Sequence, residues 1–279
     1  MKTVVALTLL VVAAQAVDWH NIKPKYSFRN TIRAVPKADR IIGGNVATPG
    51  LLPFQAGLFL DGSGFCGGSL IKEDKVLTAA HCCDGTGNFE AHLGAQNIYD
   101  ESEPTLQIGT STNGQMHENY SPFTLNNDLC VIHLDAPISG EGIGLIRLPS
   151  RSQVGETFEG VAATSSGWGR PSDADPNISP ELKYVDVTIM SNAECSSYFG
   201  STITANHICI DTAGGSGGVC NGDSGGPLTI TETDGGKTQV GITSFVSSAG
   251  CESGSPHGYC RVTGYLDWLE QNAGVTIRP

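Results

Sequence analysis

The chain has 279 residues, of which 36 are glycine and 14 proline, and its formal net charge is −12 with only 16% of residues charged. The imbalance is segregated: residues 17–40 hold six basic side chains against two acidic ones, a net of +4, whereas residues 41–279 hold nine against 26, a net of −17. So acidic a body repels nucleic acid and anionic membrane surfaces, which excludes both as expected partners, while the basic stretch is its charge complement.

In chain order, the first 16 residues, MKTVVALTLLVVAAQA, place Lys2 ahead of a short apolar run and Ala14-Gln15-Ala16, the pattern of a secretory signal cut before Val17. The run is shorter than the ~20 residues of a membrane span and no later stretch approaches that length, so the expected product is soluble, secreted and extracellular. Nine cysteines are then expected as disulfide partners, with at least one left over. The basic stretch 17–40 ends at Arg40, inside RIIGGN.

Beyond it, short runs rich in β-branched residues (KVLTAA, DLCVIHL, VDVTIM, PLTITE, QVGITSF) alternate with Gly, Pro, Asn and Asp. This pattern predicts an all-β sandwich or barrel protein. The join between two halves is expected around Leu148–Ser152. One stretch departs from the pattern: YLDWLEQN, Tyr265 to Asn272, has Leu266, Trp268 and Leu269 at helical spacing and predicts a short terminal helix. The sequons Asn119-Tyr-Ser and Asn177-Ile-Ser are each followed by proline, which argues against their use.

Three short motifs carry chemistry. GGVCNGDSGGPL holds Ser224 between Asp223 and two glycines, LTAAHC ends an apolar strand on His81, and NNDLCVI opens another with Asp128. A serine hydroxyl becomes a nucleophile at neutral pH only when a base takes its proton as it attacks, and histidine titrates in the right range to do so. A buried carboxylate on the second ring nitrogen fixes the tautomer and supports the charge that develops. Gly222, Gly225 and Gly226 then mark a backbone path, or a close approach by substrate, that a side chain would obstruct.

The order His, Asp, Ser resembles that of the chymotrypsin-fold serine proteases, and the resemblance covers residues 41–279. It implies two antiparallel six-stranded Greek-key barrels, about 41–148 and 149–279, with the active site between them and a short C-terminal helix. It implies a catalytic triad of His81, Asp128 and Ser224 and an oxyanion hole from the backbone N–H groups of Gly222 and Ser224. Residues 17–40 become an activation propeptide: a trypsin-like protease cuts after Arg40, and the freed ammonium of Ile41 pairs with Asp223. Disulfides are implied for Cys66 with Cys82, Cys195 with Cys209 and Cys220 with Cys251. The remaining three cysteines depart from the pattern; Cys130 is expected to pair with Cys260, leaving Cys83 unpaired. A zinc site at His81, Cys82 and Cys83 would consume the catalytic base, and no metal or cofactor is expected.

In the same resemblance, Gly218, Ser244, Val246 and His257 shape the substrate pocket. Gly218 argues against a preference for Lys or Arg, and Val246 should make the pocket shallow, for small or medium apolar side chains. MSNAEC, CNGDSGGPL and GITSF look most like arthropod digestive proteases, including the crab collagenases, or brachyurins. The expected function is a monomeric digestive endopeptidase acting on protein or peptide substrates, elastase-like or chymotrypsin-like. Broad collagenolytic cleavage ranks second and a preference for acidic side chains at a charged His257 third. A cascade protease would carry extra amino-terminal modules, and a binding protein on the same fold would normally lose a triad residue.

Overall fold

A computed structural model of the protein describes residues 22–25, 44–215 and 217–279. The signal stretch, most of the segment 17–40, Arg40 and Ile41 lie outside the described residues. Fifteen strands are described, β1 (Lys23–Pro24), β2 (Asn45–Val46), β3 (Gln55–Leu60), β4 (Gly64–Lys72), β5 (Lys75–Thr78), β6 (Phe89–Leu93), β7 (Gln107–Ser111), β8 (Gly114–Met116), β9 (Cys130–His133), β10 (Ala162–Gly167), β11 (Lys183–Met190), β12 (His207–Asp211), β13 (Pro227–Thr231), β14 (Lys237–Phe245) and β15 (His257–Arg261). Three α-helices accompany them: α1 (Ala80–Cys83), α2 (Asn192–Phe199) and α3 (Leu266–Ala273). No described helix is long and apolar enough to cross a membrane.

The strands form two sheets. In the second, the order β10-β13-β14-β15-β12-β11 closes on itself through antiparallel β10–β11 pairing, a six-stranded barrel with β2 added at the outer side of β11. In the first, the order is β7-β6-β3-β4-β5-β9-β8, and only residues 112 and 113 separate β7 from β8. Counted as one bent strand, β7 and β8 close the first sheet as a six-stranded barrel too. Strand β11 shows why such segments become strands: Val185, Val187 and Ile189 are buried on one face while Asp186 and Thr188 face solvent. Alternation of this kind lets one face enter a core, where each large aliphatic side chain contributes roughly 1.5–3 kcal/mol.

The two barrels touch through their smallest residues. A Cβ at Gly67 on β4 would lie 3.0 Å from the Gly226 Cα, and the Gly67 N–H donates to the Ser224 carbonyl at 2.7 Å. Buried hydroxyls bridge the same seam: Ser69 donates to Gln239 (2.6 Å) and Ser166 to Gln55 (2.7 Å). Helix α3 packs Leu266, Leu269 and Ala273 into the first barrel's core although it follows the second barrel in sequence.

The cysteines require one correction. Cys66–Cys82, Cys195–Cys209 and Cys220–Cys251 are bonded, but the fourth disulfide is Cys83–Cys130, and Cys260 is the free, buried cysteine. Strand β5 pairs with β9 so that Thr78 stands opposite Cys130, and α1 begins two residues later. This turn carries Cys83 over the end of β9, with a Cα–Cα distance of 6.6 Å, within disulfide reach. Cys260 instead sits mid-barrel on β15, opposite Ile242 and His207, where desolvation pushes its thiol pKa up.

Candidate active site

His81 stands in the single turn of α1, directly after β5 ends at the seam. Asp128, fully buried, receives three donors: the His81 backbone N–H at Oδ1 (2.9 Å), the His81 Nδ1–H at Oδ2 (2.8 Å) and the Ser244 hydroxyl at Oδ2 (2.6 Å). An ionised carboxylate only accepts, so this arrangement puts the ring proton on Nδ1 and leaves Nε2 as a base. Cys83–Cys130 fastens α1 to β9, and thus the histidine segment to the aspartate segment.

Ser224 is half-buried, whereas Asn221, Gly222 and Asp223 before it are buried. Glycine is required at two positions around it. Gly225 has φ +80° and a Cβ there would lie 2.0 Å from the Thr78 hydroxyl; Gly222 has φ +102° and a Cβ would lie 2.9 Å from Ile178. Among the described residues, neither the Gly222 nor the Ser224 N–H donates to a protein acceptor. A cavity of about 220 Å³ opens between the barrels, and His81 and Ser224 both line it, with Tyr120, Leu125, Phe245 and Val246.

Asp223 points away from this cavity. Its Oδ1 accepts from the Gly169 N–H (2.7 Å) and its Oδ2 from the Cys220 N–H (2.9 Å). A Cβ at Gly167 or Gly169 would fall 2.3 Å from a carboxylate oxygen, so both glycines make room for it. Burial raises its pKa to about 6, against the two N–H donors and the more distant charge of Lys183. Among the described residues no cation lies within ion-pair distance of it.

The four expected pocket residues divide. Ser244 and Val246 line the cavity, but Gly218 and His257 stand outside that lining. His257 accepts from the Val219 N–H at Nδ1 (3.0 Å) and donates from Nε2 to the Cys251 carbonyl (3.2 Å). That pairing needs the neutral ring, and desolvation accordingly lowers the pKa to about 4. Gly218, at φ +146°, is bare because a Cβ would meet the imidazole at 2.6 Å. Tyr120, Leu125 and Phe245 were not read from sequence as pocket residues. Leu125 and Asn127 have positive φ values of 55° and 57°. Such a backbone folds this loop over the site, and only Asn127, a residue tolerant of that region, hinted at it.

Two clusters have metal-like ligand spacing, Cys66 with His81 and Cys82, and Asp173 with Cys220 and Cys251. In both, the sulfurs are bonded to each other and are not thiolate ligands. Cys83 is bonded as well, so the zinc arrangement at His81, Cys82 and Cys83 has no thiolate to offer.

The Trypsin family model matches residues 41–269. Brachyurin of Leptuca pugilator is 47% identical over 237 residues, covering 85% of this chain and 100% of the relative. Collagenase of Hypoderma lineatum is 39% identical over 241 residues (85% and 88%), and chymotrypsin of Phaedon cochleariae 36% over 240 residues (84% and 82%). The solved structure of HL collagenase superposes with a TM-score of 0.75 at 37% identity, covering 85% of this chain and all of that one.

Proposed function

The chain belongs to the trypsin family of serine endopeptidases, and from that premise we propose that it is a secreted digestive enzyme, made as a zymogen, with Ser224 as its nucleophile. In this reading His81 Nε2 removes the Ser224 proton as Oγ attacks the scissile carbonyl, and Asp128 stabilises the imidazolium that results. The N–H groups of Gly222 and Ser224 receive the oxyanion; one such donor is worth roughly 3 kcal/mol of barrier in other acyl-transfer enzymes. His81 returns the proton to the leaving amine, the C–N bond breaks, and water, deprotonated by the same nitrogen, hydrolyses the acyl-enzyme. The observation that carries this reading is the Asp128 carboxylate, held by three donors and orienting His81 in the cavity that Ser224 lines.

Activation follows from Asp223. Cleavage after Arg40 by a trypsin-like protease frees the Ile41 ammonium, which pairs with the buried carboxylate; losing one partner of such a pair typically costs ~3–5 kcal/mol, enough to control a loop. The experiment is trypsin treatment of the full chain, amino-terminal sequencing and labelling with a fluorophosphonate. A new Ile-Ile-Gly-Gly terminus, with labelling that appears only after the cut and is lost in Ser224→Ala, is the expected result. The cut terminus without labelling would overturn the assignment.

Val246, projecting into the cavity, favours small or medium apolar side chains next to the scissile bond, with Ser244 to Val246 pairing with the substrate backbone. Broad collagenolytic cleavage is the second reading, because brachyurin and a collagenase are among the relatives. The neutral His257 argues against a preference for acidic side chains. A substrate panel varied at that one position separates the readings, and dominance by Lys or Arg would refute the first.

A further inference from the structure

Four described residues of the basic segment, Ile22 to Lys25, are docked on the body. Strand β1 runs parallel to β4, with Lys23 opposite Gly64 and Pro24 opposite Phe65. The Lys23 N–H donates to the Ser63 carbonyl (2.9 Å) and the Lys25 N–H to the Phe65 carbonyl (3.3 Å). Ile22 is only 2% exposed and joins the first barrel's hydrophobic cluster. The Lys25 ammonium has three protons and three acceptors: the Cys82 carbonyl (2.9 Å), the Asp84 carbonyl (2.6 Å) and the Thr86 hydroxyl. Thr86 in turn donates to the Cys82 carbonyl (2.9 Å), which orients its oxygen lone pairs for the ammonium. This cage begins one residue after His81. Lys23 reaches across to the Asn177 side chain (3.1 Å), on the second barrel's loop.

His81 lines the cavity, whereas the segment meets the body at Cys82, the next residue in sequence, outside the cavity lining. The cavity is bounded by Tyr120, Leu125, Phe245 and Val246; the segment covers Phe65 and Cys82. A polypeptide substrate continues past its scissile bond and needs room beyond the cavity, whereas a small leaving group does not.

We propose that the groove between β4 and the 82–86 loop is a binding site for the propeptide, anchored by Ile22 and Lys25, which the released 17–40 peptide reoccupies in trans to inhibit cleavage of protein substrates. The proposal rests on activation at Arg40 as read above. No cysteine lies in 17–40, so nothing covalent retains the peptide after the cut, and its net charge of +4 against −17 favours return.

The test adds synthetic 17–40 peptide to the trypsin-activated, repurified enzyme, with casein and a small anilide as substrates. Peptides carrying Lys25→Ala and Lys37→Ala have the same charge, but only the first loses the cage. The expected result is inhibition of casein cleavage that Lys25→Ala weakens about tenfold or more and Lys37→Ala by less than about twofold, because hydrogen bonds to a charged group are the strong ones. Equal weakening by both variants, or no inhibition of a fully active enzyme, overturns the site. Hydrogen exchange on the uncleaved chain tests the docking whether or not Arg40 is cut. The Lys23 and Lys25 amides should be protected in the parent and in Lys37→Ala, and unprotected in Lys25→Ala. Fast exchange in all three refutes the groove. Failure to cut at Arg40 with protection intact refutes only the activation reading.

Discussion

Replacing both Cys83 and Cys130 by alanine removes the staple between the histidine and aspartate segments, and the structure separates its two effects. The bond closes a loop with a sequence separation of 47. In the chain-entropy treatment such a loop is worth about 14 cal/mol/K, or about 4 kcal/mol at 25 °C, in the unfolded state. For a domain of this size each kcal/mol moves Tm by about 2–4 °C, so the double variant should melt about 8–16 °C lower by calorimetry on the uncleaved chain. Activity should suffer far less. Asp128 keeps its donors from His81 and Ser244, so kcat/KM of the activated variant should fall by less than about tenfold. A Tm change below about 3 °C would refute the entropic argument. A loss of activity beyond about a hundredfold at unchanged KM would show that the disulfide, not the hydrogen bonds, holds the base. Alkylation of the unfolded, unreduced parent should mark Cys260 alone.

Three other perturbations follow from the geometry. Gly225→Ala sets a methyl 2.0 Å from the Thr78 hydroxyl at a φ of +80°, so it should abolish fluorophosphonate labelling; substantial labelling would contradict the close approach. Val246→Gly removes the side chain that narrows the cavity, and should raise kcat/KM for a phenylalanine substrate relative to an alanine one by about tenfold, the worth of 1–3 kcal/mol per pocket group. Asp223 has a native pKa of about 6 in the uncleaved chain, above the unfolded value of 3.8, so the native state holds the extra proton between them. Its contribution to stability therefore falls as pH rises from about 4 to about 6, by about 3 kcal/mol in all. Urea titrations of the uncleaved parent and Asp223→Asn should diverge in slope across that window, and parallel curves would refute the raised pKa.

What could be read from sequence was what is encoded locally. His81, Asp128 and Ser224 each sit in a motif whose neighbours explain them: a strand end, a strand mouth, a turn of glycines. The strands around KVLT, CVIH and VDVTIM carried the same local evidence, and LDWLEQN formed its helix. Features decided by tertiary placement were not legible. Cys130 and Cys260 are both strand cysteines, and nothing in spacing reveals that one-turn α1 folds Cys83 over β9. The resemblance to chymotrypsin-fold proteases puts His257 on the pocket wall with Val246, and its place at the start of β15 says nothing of its partners. Only the three-dimensional structure puts Val219 and Cys251 on its two nitrogens and makes it a buried support behind Gly218. The loop bearing Tyr120 and Leu125 carried no distinguishing pattern before the fold brought it over the cavity.

The seam between the barrels has a further meaning. His81 and Asp128 are supplied from one side of it and Ser224 and Ser244 from the other, while Ser69–Gln239 and Ser166–Gln55 hold the halves in register. With the proposed triad, catalysis is a joint property that neither barrel owns. In the proposed digestive reading the enzyme works among other proteases, where partial opening is the usual prelude to being cut. In that reading the same opening parts Ser224 from His81, so a molecule that begins to come apart falls silent before it becomes food for its neighbours.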